Sequence, residues 1–231
     1  MNPSPVTATP AANPPKVKPP ATWLAPLLAG VAGFVDTAGF VVFAGVFLAH
    51  VTGNFVVLGA TLPGQGLGSA AMKLAVLPLF IIGVAIGWLI VRRSPRKSSR
   101  HIATVEGLLL LAGGGLGVWS HYPGSMPHMA EPVAMACGVL AMALQSMLAR
   151  SLKLPMTHVM TGNVTQLTVD LLDARFGHPE CGAAASRNIA LVAAFACGAV
   201  LSGVLVSSFG LAVLVIPAVV LLAIARTIES R

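Results

Sequence analysis

The chain has 231 residues, of which 56% are hydrophobic and only 9% are charged, and its mean hydropathy is +0.86. Soluble domains carry about 25% charged residues, so this composition excludes an ordinary soluble globular protein and excludes intrinsic disorder over most of the length. The formal charge of +7 comes from basic residues that are too few and too clustered to line a nucleic-acid groove. They fit the orientation signals of a membrane protein better.

The first element in chain order is a proline-rich leader at residues 1–21. Seven of the first twenty residues are proline, a composition that favours extended, solvated backbone over packing. We predict a disordered cytoplasmic leader here, followed by a single membrane domain over 22–231. The apolar stretch after the leader has no clear small-residue cleavage site, so we interpret it as a retained first membrane helix and not as a signal peptide.

The rest of the chain contains enough long apolar stretches for several membrane crossings. A bilayer core of about 30 Å needs about 20 mostly apolar helical residues to cross it. Two further apolar stretches, 46–62 and 155–172, are anomalous, and the second is short and polar for a lipid-facing span. The six stretches that we predict to span are 23–43, 72–91, 102–120, 131–149, 188–207 and 209–226.

The sequence also repeats itself. The tripeptide Thr-Gly-Asn occurs at 52–54 and again at 161–163, an offset of 109 residues at which Asp36 corresponds to Gln145. Further on, the segment that starts at Phe80 corresponds to the one that starts at Phe195, at an offset of 115. An ordered series of matches indicates an internal duplication, with repeat one at 23–120 and repeat two at 131–228.

The distribution of Lys and Arg decides how the two anomalous stretches are placed, because cytoplasmic loops carry the excess of basic residues. With the basic loop 92–100 fixed inside, a chain in which all eight stretches span has seven basic residues on each side. If both stretches are re-entrant, only Lys73 lies outside and the other thirteen lie inside. We therefore predict an all-α integral membrane protein with six transmembrane helices plus two re-entrant half-helices, built as an inverted repeat with both termini cytoplasmic.

The two Thr-Gly-Asn motifs carry the predicted site. Re-entrant backbone is tolerated at membrane depth only where protein or water covers its polar groups. Threonine is a good N-cap and glycine permits close approach of the backbone, so each motif can open a half-helix whose positive dipole end points toward the membrane middle. Inverted-repeat transporters use such half-helices. The candidate substrate- or ion-binding residues in the motifs are Thr52, Gly53, Asn54, Thr161, Gly162 and Asn163.

Asp36 is the strongest single candidate residue. It lies about 12 residues into the first span, or ~18 Å along the helix axis, where an unpaired carboxylate costs at least ~2.5 kcal/mol. One interpretation is a proton or cation relay or a substrate contact, to which Gln145 contributes as the neutral repeat partner. The other is a carboxylate that is satisfied by a half-helix N-terminus or by Thr52 and Asn163.

Two histidines complete the candidate set. His50 and His158 precede the threonines of the two motifs, and histidine titrates near neutral pH, so they could relay protons or gate the site. They could equally be interfacial histidines with satisfied hydrogen bonds. No motif of a metalloprotease or a serine nucleophile is present, so we expect no enzyme, no metal and no cofactor.

The residues around these candidates resemble those of the YoaK-type family of bacterial membrane proteins, a domain of unknown function. The resemblance lies in the sequence GFVDTAGF at 33–40, HVTGN at 50–54 and MTGN at 160–163, together with the Leu144-Gln145 pair, and it covers about 23–226. It implies an integral protein of the bacterial inner membrane and supplies no substrate.

We expect a small-solute transporter or channel with a midplane site at the two Thr-Gly-Asn motifs. The alternative is a non-transporting membrane sensor or assembly component, in which the same polar groups only stabilise the re-entrant segments. The expected partners are membrane lipid and a small solute that the sequence does not identify, and nucleic acid is not expected. Formation of a homo-oligomer is compatible with the sequence.

Overall fold

The computed structural model of the protein describes residues 22–61, 67–120 and 127–228. The predicted leader lies outside these residues, as do residues 121–126 of the segment between the two predicted repeats. The described part of the chain is helical and has no strand, so the all-α fold class is confirmed. Its α-helices are α1 (Leu24–Val42), α2 (Gly53–Thr61), α3 (Leu67–Arg93), α4 (Ser98–Trp119), α5 (Pro127–Ser151), α6 (Met160–Arg175), α7 (Gly182–Phe209) and α8 (Val215–Thr227).

The observed helices follow the predicted apolar stretches closely. Among the described residues, five stretches are long and apolar enough to cross a membrane, and the last of them, Pro179–Thr227, contains both α7 and α8. Gly210, with a φ of 52°, ends α7. A 3₁₀ turn at Gly210–Leu214 then leads into α8. The sixth predicted span therefore starts with a turn, and its α-helix has only 13 residues.

Backbone-to-backbone contact at glycines joins α1 to α7. A Cβ atom added at Gly198 would lie 2.0 Å from the carbonyl oxygen of Gly30, and one added at Gly33 would lie 2.2 Å from the carbonyl oxygen of Phe195. Small residues allow this close approach, which is a common way for helices to associate in a membrane. Contacts advance in the same direction along both helices, up to Thr37 beside Gly203, so α1 and α7 run parallel.

Glycines also bring α3 against α5. Gly83 faces Leu140 and Ala143, and Gly87, one helical turn later, faces Leu144 and Met147. The order of these contacts shows that α3 and α5 also run parallel. The first helix of each repeat thus packs against the third helix of the other repeat.

The helix α4 runs in the opposite direction to both of its main neighbours. Its first turn meets the last residue of α5, where the hydroxyl oxygens of Ser99 and Ser151 are 3.3 Å apart, whereas Gly113 faces Ala134 near the start of α5. The contacts between α4 and α8 also run in opposite order along the two helices.

At the α4–α8 crossing, Gly107 faces Leu222 and Gly114 faces Val215. These contacts fix α8 antiparallel to α4.

Contacts between α1 and α5 relate these groups of helices to each other. The side-chain nitrogen of Gln145, near the end of α5, donates to the carbonyl oxygen of Leu28, near the start of α1, at 2.9 Å. Leu48 touches both Gly39, near the end of α1, and Gly138, in the middle of α5. The helices α1 and α5 are therefore antiparallel. It follows that α1, α4 and α7 run in one direction and α3, α5 and α8 in the other.

Candidate functional site

The site is organised around Asp36, whose side chain is only 3% exposed. After α1 the chain reverses at Ala44 and Gly45, which have φ values of 51° and 85°. The reversal returns the backbone along α1, so that the N–H groups of Leu48 and Ala49 donate to the Oδ1 atom of Asp36 at 2.7 and 2.8 Å. The buried carboxylate is thus held by two backbone donors from the segment that precedes α2.

The second carboxylate oxygen of Asp36 pairs with His50. The Oδ2 atom lies 2.5 Å from the Nδ1 atom of the imidazole, so the negative charge favours the protonated ring and the ring in turn compensates the buried charge. The His50 ring also makes an edge contact with Phe195, with ring centroids 5.8 Å apart. The structure therefore brings together two of the predicted relay residues and a side chain from the other repeat.

A cavity of about 410 Å³ opens beside this pair. Its walls come from α1, from the segment before α2 together with the first residue of α2, and from α7. Three of the seven lining residues are phenylalanines, and the polar ones are Thr37 and the carboxylate–imidazole pair. An apolar wall with a few polar groups is the usual make-up of a small-molecule pocket. The lining residues are Asp36, Thr37, Phe40, Phe47, His50, Gly53 and Phe195.

Asn54 bonds to its own segment. Its Oδ1 atom accepts from the N–H of Phe47 and its Nδ2 atom donates to the carbonyl of the same residue, both at 2.8 Å. The side chain is buried, and this pair of hydrogen bonds closes the loop between the reversal and α2. Thr52 directly precedes α2, and Gly53 is the first residue of that helix.

Asn163 makes the corresponding contact in repeat two. Its Nδ2 atom donates to the carbonyl of Met156 at 3.0 Å, and Met156 lies at the offset of 109 residues from Phe47. The two motifs therefore share one local geometry, but the second side chain is only half-buried and makes one such backbone bond. The prediction that the two asparagines bind a solute remains a prediction.

One detail of the second motif was predicted wrongly. The helix α6 begins at Met160 with Val159 at the N-cap position, so Thr161 lies inside the first turn and is not the cap. The backbone N–H of Asn163 already bonds to the carbonyl of Val159 at 3.4 Å, which extends the helix upstream of the predicted start. Gly162 is exposed on that first turn.

Gln145 occupies the place that Asp36 has in repeat one. Its Nε2 atom donates to the Oγ1 atom of Thr157 at 2.7 Å, and Thr157 corresponds to Leu48, whose N–H donates to Asp36. A neutral amide thus contacts the segment before α6 at the position where repeat one has a carboxylate. The Oε1 atom of Gln145 is buried and has no hydrogen-bond partner within the described ranges.

His158 lies in a different environment from His50. The hydroxyl of Ser146 donates to the carbonyl of Met142, so the Nε2 atom of His158, 3.2 Å from that hydroxyl, acts as the donor to it. The other ring nitrogen is buried without a partner among the residues that the structure covers. A charged ring would leave a buried N–H donor unpaired, which is unfavourable. Its ring lies at the edge of Phe80, 6.5 Å between centroids.

Several parts of the site were not found from the sequence. The backbone donors to Asp36 carry no residue signature, and the three cavity phenylalanines look like ordinary apolar positions of a membrane protein. The predicted repeat contained one indication of the aromatic contacts. Phe80 and Phe195 are equivalent positions in the two repeats, and each contacts a histidine. Among the described residues, no group of three or more His, Cys, Asp or Glu side chains could hold a metal ion.

The two asparagines give a stability prediction. Asn54→Leu leaves the partly buried N–H and carbonyl of Phe47 without their side-chain partner and should lower the free energy of unfolding by about 2 to 3 kcal/mol. Asn163→Leu loses one half-buried bond and should cost about 1 kcal/mol or less. Denaturant unfolding of both variants in the same detergent checks the difference. Equal losses would contradict the asymmetry between the two motifs.

The helices and their apolar surfaces indicate a multi-pass helical membrane protein. A family model described as "Protein of unknown function (DUF1275)" matches residues 24–227. The chain therefore belongs to this family. The predicted membership in a family of unknown function is confirmed, and the narrower YoaK-type label is compatible with this match. No curated protein and no solved structure matches the chain.

Proposed function

We propose that the chain has six transmembrane helices and two re-entrant half-helices, arranged as an inverted internal repeat in the bacterial inner membrane with both termini cytoplasmic. The helix directions support this architecture. Since α1 and α3 run in opposite directions, the segment that contains α2 begins and ends at the same membrane face. The same holds for α6, which lies between the oppositely directed α5 and α7. Each helix of repeat one then runs opposite to its counterpart in repeat two.

The depth that the segments before α2 and α6 reach in the membrane supports the same architecture. His50 contacts Phe195 at the middle of α7, and His158 contacts Phe80 at the middle of α3. Both segments therefore reach the middle of a long helix before α2 or α6 starts. The half-helices have nine and 16 residues, or about 14 and 24 Å, both shorter than a bilayer core of about 30 Å.

The function that we propose for this architecture is transport of a small solute through the cavity beside Asp36. The observation that carries the proposal is the buried carboxylate of Asp36, which pairs with the partly exposed ring of His50 at a cavity where the membrane segments are interrupted. Ionisable groups inside a membrane are costly and commonly mark substrate or proton pathways. Discontinuous helices near the midplane are where transporters bind their substrates.

The residues take different roles in this proposal. Asp36 and His50 contact the solute or its coupling proton, Gly53 forms part of the cavity wall, and Asn54 holds the segment that carries them. In repeat two, Asn163 holds the equivalent segment, and Gln145 and His158 stabilise it as neutral groups. The site is therefore asymmetric, with its charge in one repeat.

Reporter fusions test the architecture. We expect cytoplasmic activity for fusions in the loop at 176–181, between α6 and α7, and at the C-terminus, and periplasmic activity for a fusion between α2 and α3. Periplasmic activity at both of the first two positions would contradict the inverted arrangement. A fusion in the cytoplasmic basic loop 92–100 serves as the reference for orientation.

A cavity-filling variant tests the site. Thr37→Phe places a ring in the cavity without replacing a partner of Asp36, whereas Val41→Phe adds the same ring to an exposed position one turn further along α1. Amines, amino acids and carboxylates that raise the unfolding temperature of the purified protein are then used in proteoliposome flux assays.

We expect at least tenfold slower flux for Thr37→Phe and unchanged flux for Val41→Phe. If no solute stabilises the protein, or if Thr37→Phe transports as the parent does, the chain is better explained as a non-transporting sensor or assembly component.

A further inference from the structure

A second buried acid lies away from the Asp36 cavity. Glu106 is in the middle of α4 and is 0% exposed. Neither of its carboxyl oxygens has a hydrogen-bond partner within the described ranges. Asp36, by contrast, has two backbone donors and a histidine. An unpaired carboxylate in such a place is strongly unfavourable, so the group is held as the neutral acid.

The surroundings of Glu106 are apolar. Its neighbour Gly107 packs on Ala218 and Leu222 of α8, and the buried residues one turn to either side, Ile102 and Leu110, belong to the main apolar core. No ion pair within the described chain includes this acid.

Charged or titratable groups do occur on the helices that pack against α4, but they lie at the helix ends or at a different height along the helix axis from Glu106. Cys137 of α5 is level with Gly113, seven residues along α4 from the acid. Among the side chains that the structure describes, the remaining such groups on these helices and on α4 itself are Glu131 and Arg150 of α5, Arg226 of α8, Lys73, Arg92 and Arg93 of α3, and Arg100 and His101 of α4.

Glu106 lies at the crossing of two equivalent helices. The offset of 115 residues that relates Phe80 to Phe195 also relates Gly107 to Leu222, and these two residues touch. Equivalent positions meet where a pseudo-two-fold axis passes, and in the inverted architecture proposed above that axis lies in the membrane plane. The acid is therefore near half depth.

The counterpart of Glu106 in α8 is Leu221, which is buried in the same core. The fold thus accepts leucine at the equivalent position, and packing alone does not require a carboxyl group here. Ionisable residues at membrane depth are generally kept for proton or ion movement.

We propose that Glu106 is a proton-binding site of the membrane domain, protonated in this conformation and able to exchange its proton with water when the α4–α8 contact opens. Proton loss gives a carboxylate and a free proton, and rebinding restores the acid, so no other reactant is needed. The exchange does not depend on whether the Asp36 cavity binds a solute.

Infrared spectroscopy of the purified protein in lipid tests this proposal. A protonated carboxyl group has a carbonyl band well separated from carboxylate bands, and the band moves to lower frequency when deuterium replaces the proton. We expect a band in the parent protein at pH 7 that is lost in Glu106→Gln and kept in Asp173→Asn, an exposed acid-to-amide control. In D₂O the band should shift progressively.

Three outcomes would overturn the proposal. They are a parent protein without the band, a band that survives in Glu106→Gln, and a band that does not shift even after prolonged incubation in D₂O. The last would identify a static buried acid.

Glu106→Leu keeps the test valid if the glutamine variant does not fold. It makes the position match Leu221, so we expect it to fold, to lack the band and to unfold at a higher temperature than the parent. A lower unfolding temperature would mean that the carboxyl stabilises the fold, which would contradict the proposal. None of these measurements needs a transported solute, so they can fail or succeed independently of the transport assay.

Discussion

Asp36→Ala should lower the free energy of unfolding by about 3 to 5 kcal/mol, because two buried backbone N–H groups lose their acceptor at about 1 to 3 kcal/mol each. The substitution leaves the N–H groups of Leu48 and Ala49 without an acceptor and leaves His50 beside no counter-charge. Because these contacts hold the reversed segment along α1, loss of the contacts should also disorder the start of α2. Denaturant unfolding in detergent measures the change.

Asp36→Asn separates the structural part of this effect from the electrostatic part. The amide oxygen can still accept from both backbone N–H groups, but it cannot pair with a protonated His50. We expect a loss of about 1.5 to 3 kcal/mol, the range for a hydrogen bond to a charged group. A variant that is as destabilised as Asp36→Ala would show that the backbone donors require the full negative charge.

A double-mutant cycle of Asp36→Asn with His50→Ala isolates the pair. The two groups are 2.5 Å apart, so their effects should not add, and the coupling energy should be about 1 kcal/mol or more. His178→Ala with Glu180→Gln is a matched control, because that pair is exposed on both sides and exposed pairs contribute about 0 to 1 kcal/mol. Additive effects at Asp36 and His50 would contradict the proposed pairing.

The sequence could predict the long helices α1, α3, α4, α5 and α7 because each contains a long apolar run, which is the main requirement for a membrane crossing. The repeated tripeptide and the Phe80/Phe195 match also predict which positions of the two halves correspond, at offsets of 109 and 115 residues. The contacts of Asn54 and Asn163 with residues seven positions upstream follow the same correspondence. These features depend on local composition or on spacing, and both can be read directly from the sequence.

The partners of Asp36 could not be predicted, because the contacts depend on how the backbone reverses at Ala44 and Gly45. Backbone N–H groups have no residue signature, and a positive φ at an alanine is not readable from the chain. His50 and Asp36 were both candidates, yet their pairing follows only from that reversal. Glu106 was missed for another reason, since a single acid in an apolar run has no pattern that indicates how completely it is buried.

The contact between α1 and α7 leads to the second large effect. Gly198→Ala should cost about 3 kcal/mol, at the upper end for overpacking, because the new Cβ would lie 2.0 Å from the carbonyl oxygen of Gly30. A backbone atom cannot rotate away, so the two helices must separate. We expect a lower yield of monodisperse protein and an earlier unfolding transition in denaturant.

Gly203→Ala provides the matched control, because Gly203 is a second glycine of α7 that contacts α1. Its Cβ would lie 3.8 Å from the methyl carbon of Thr37, which is ordinary contact, and alanine is favoured over glycine in a helix by about 0.5 to 1 kcal/mol. It should therefore be as stable as the parent or slightly more so.

The two alanine variants should also differ at the cavity. Asp36 and Thr37 line it from α1 and Phe195 lines it from α7, so separating these helices widens the cavity and moves Phe195 away from His50. Any solute that stabilises the parent protein should stabilise Gly203→Ala equally and Gly198→Ala much less. If the two variants are equally stable, the backbones of α1 and α7 are further apart than the contact between Gly30 and Gly198 implies. If a solute stabilises both variants equally, the cavity does not depend on the contact between α1 and α7.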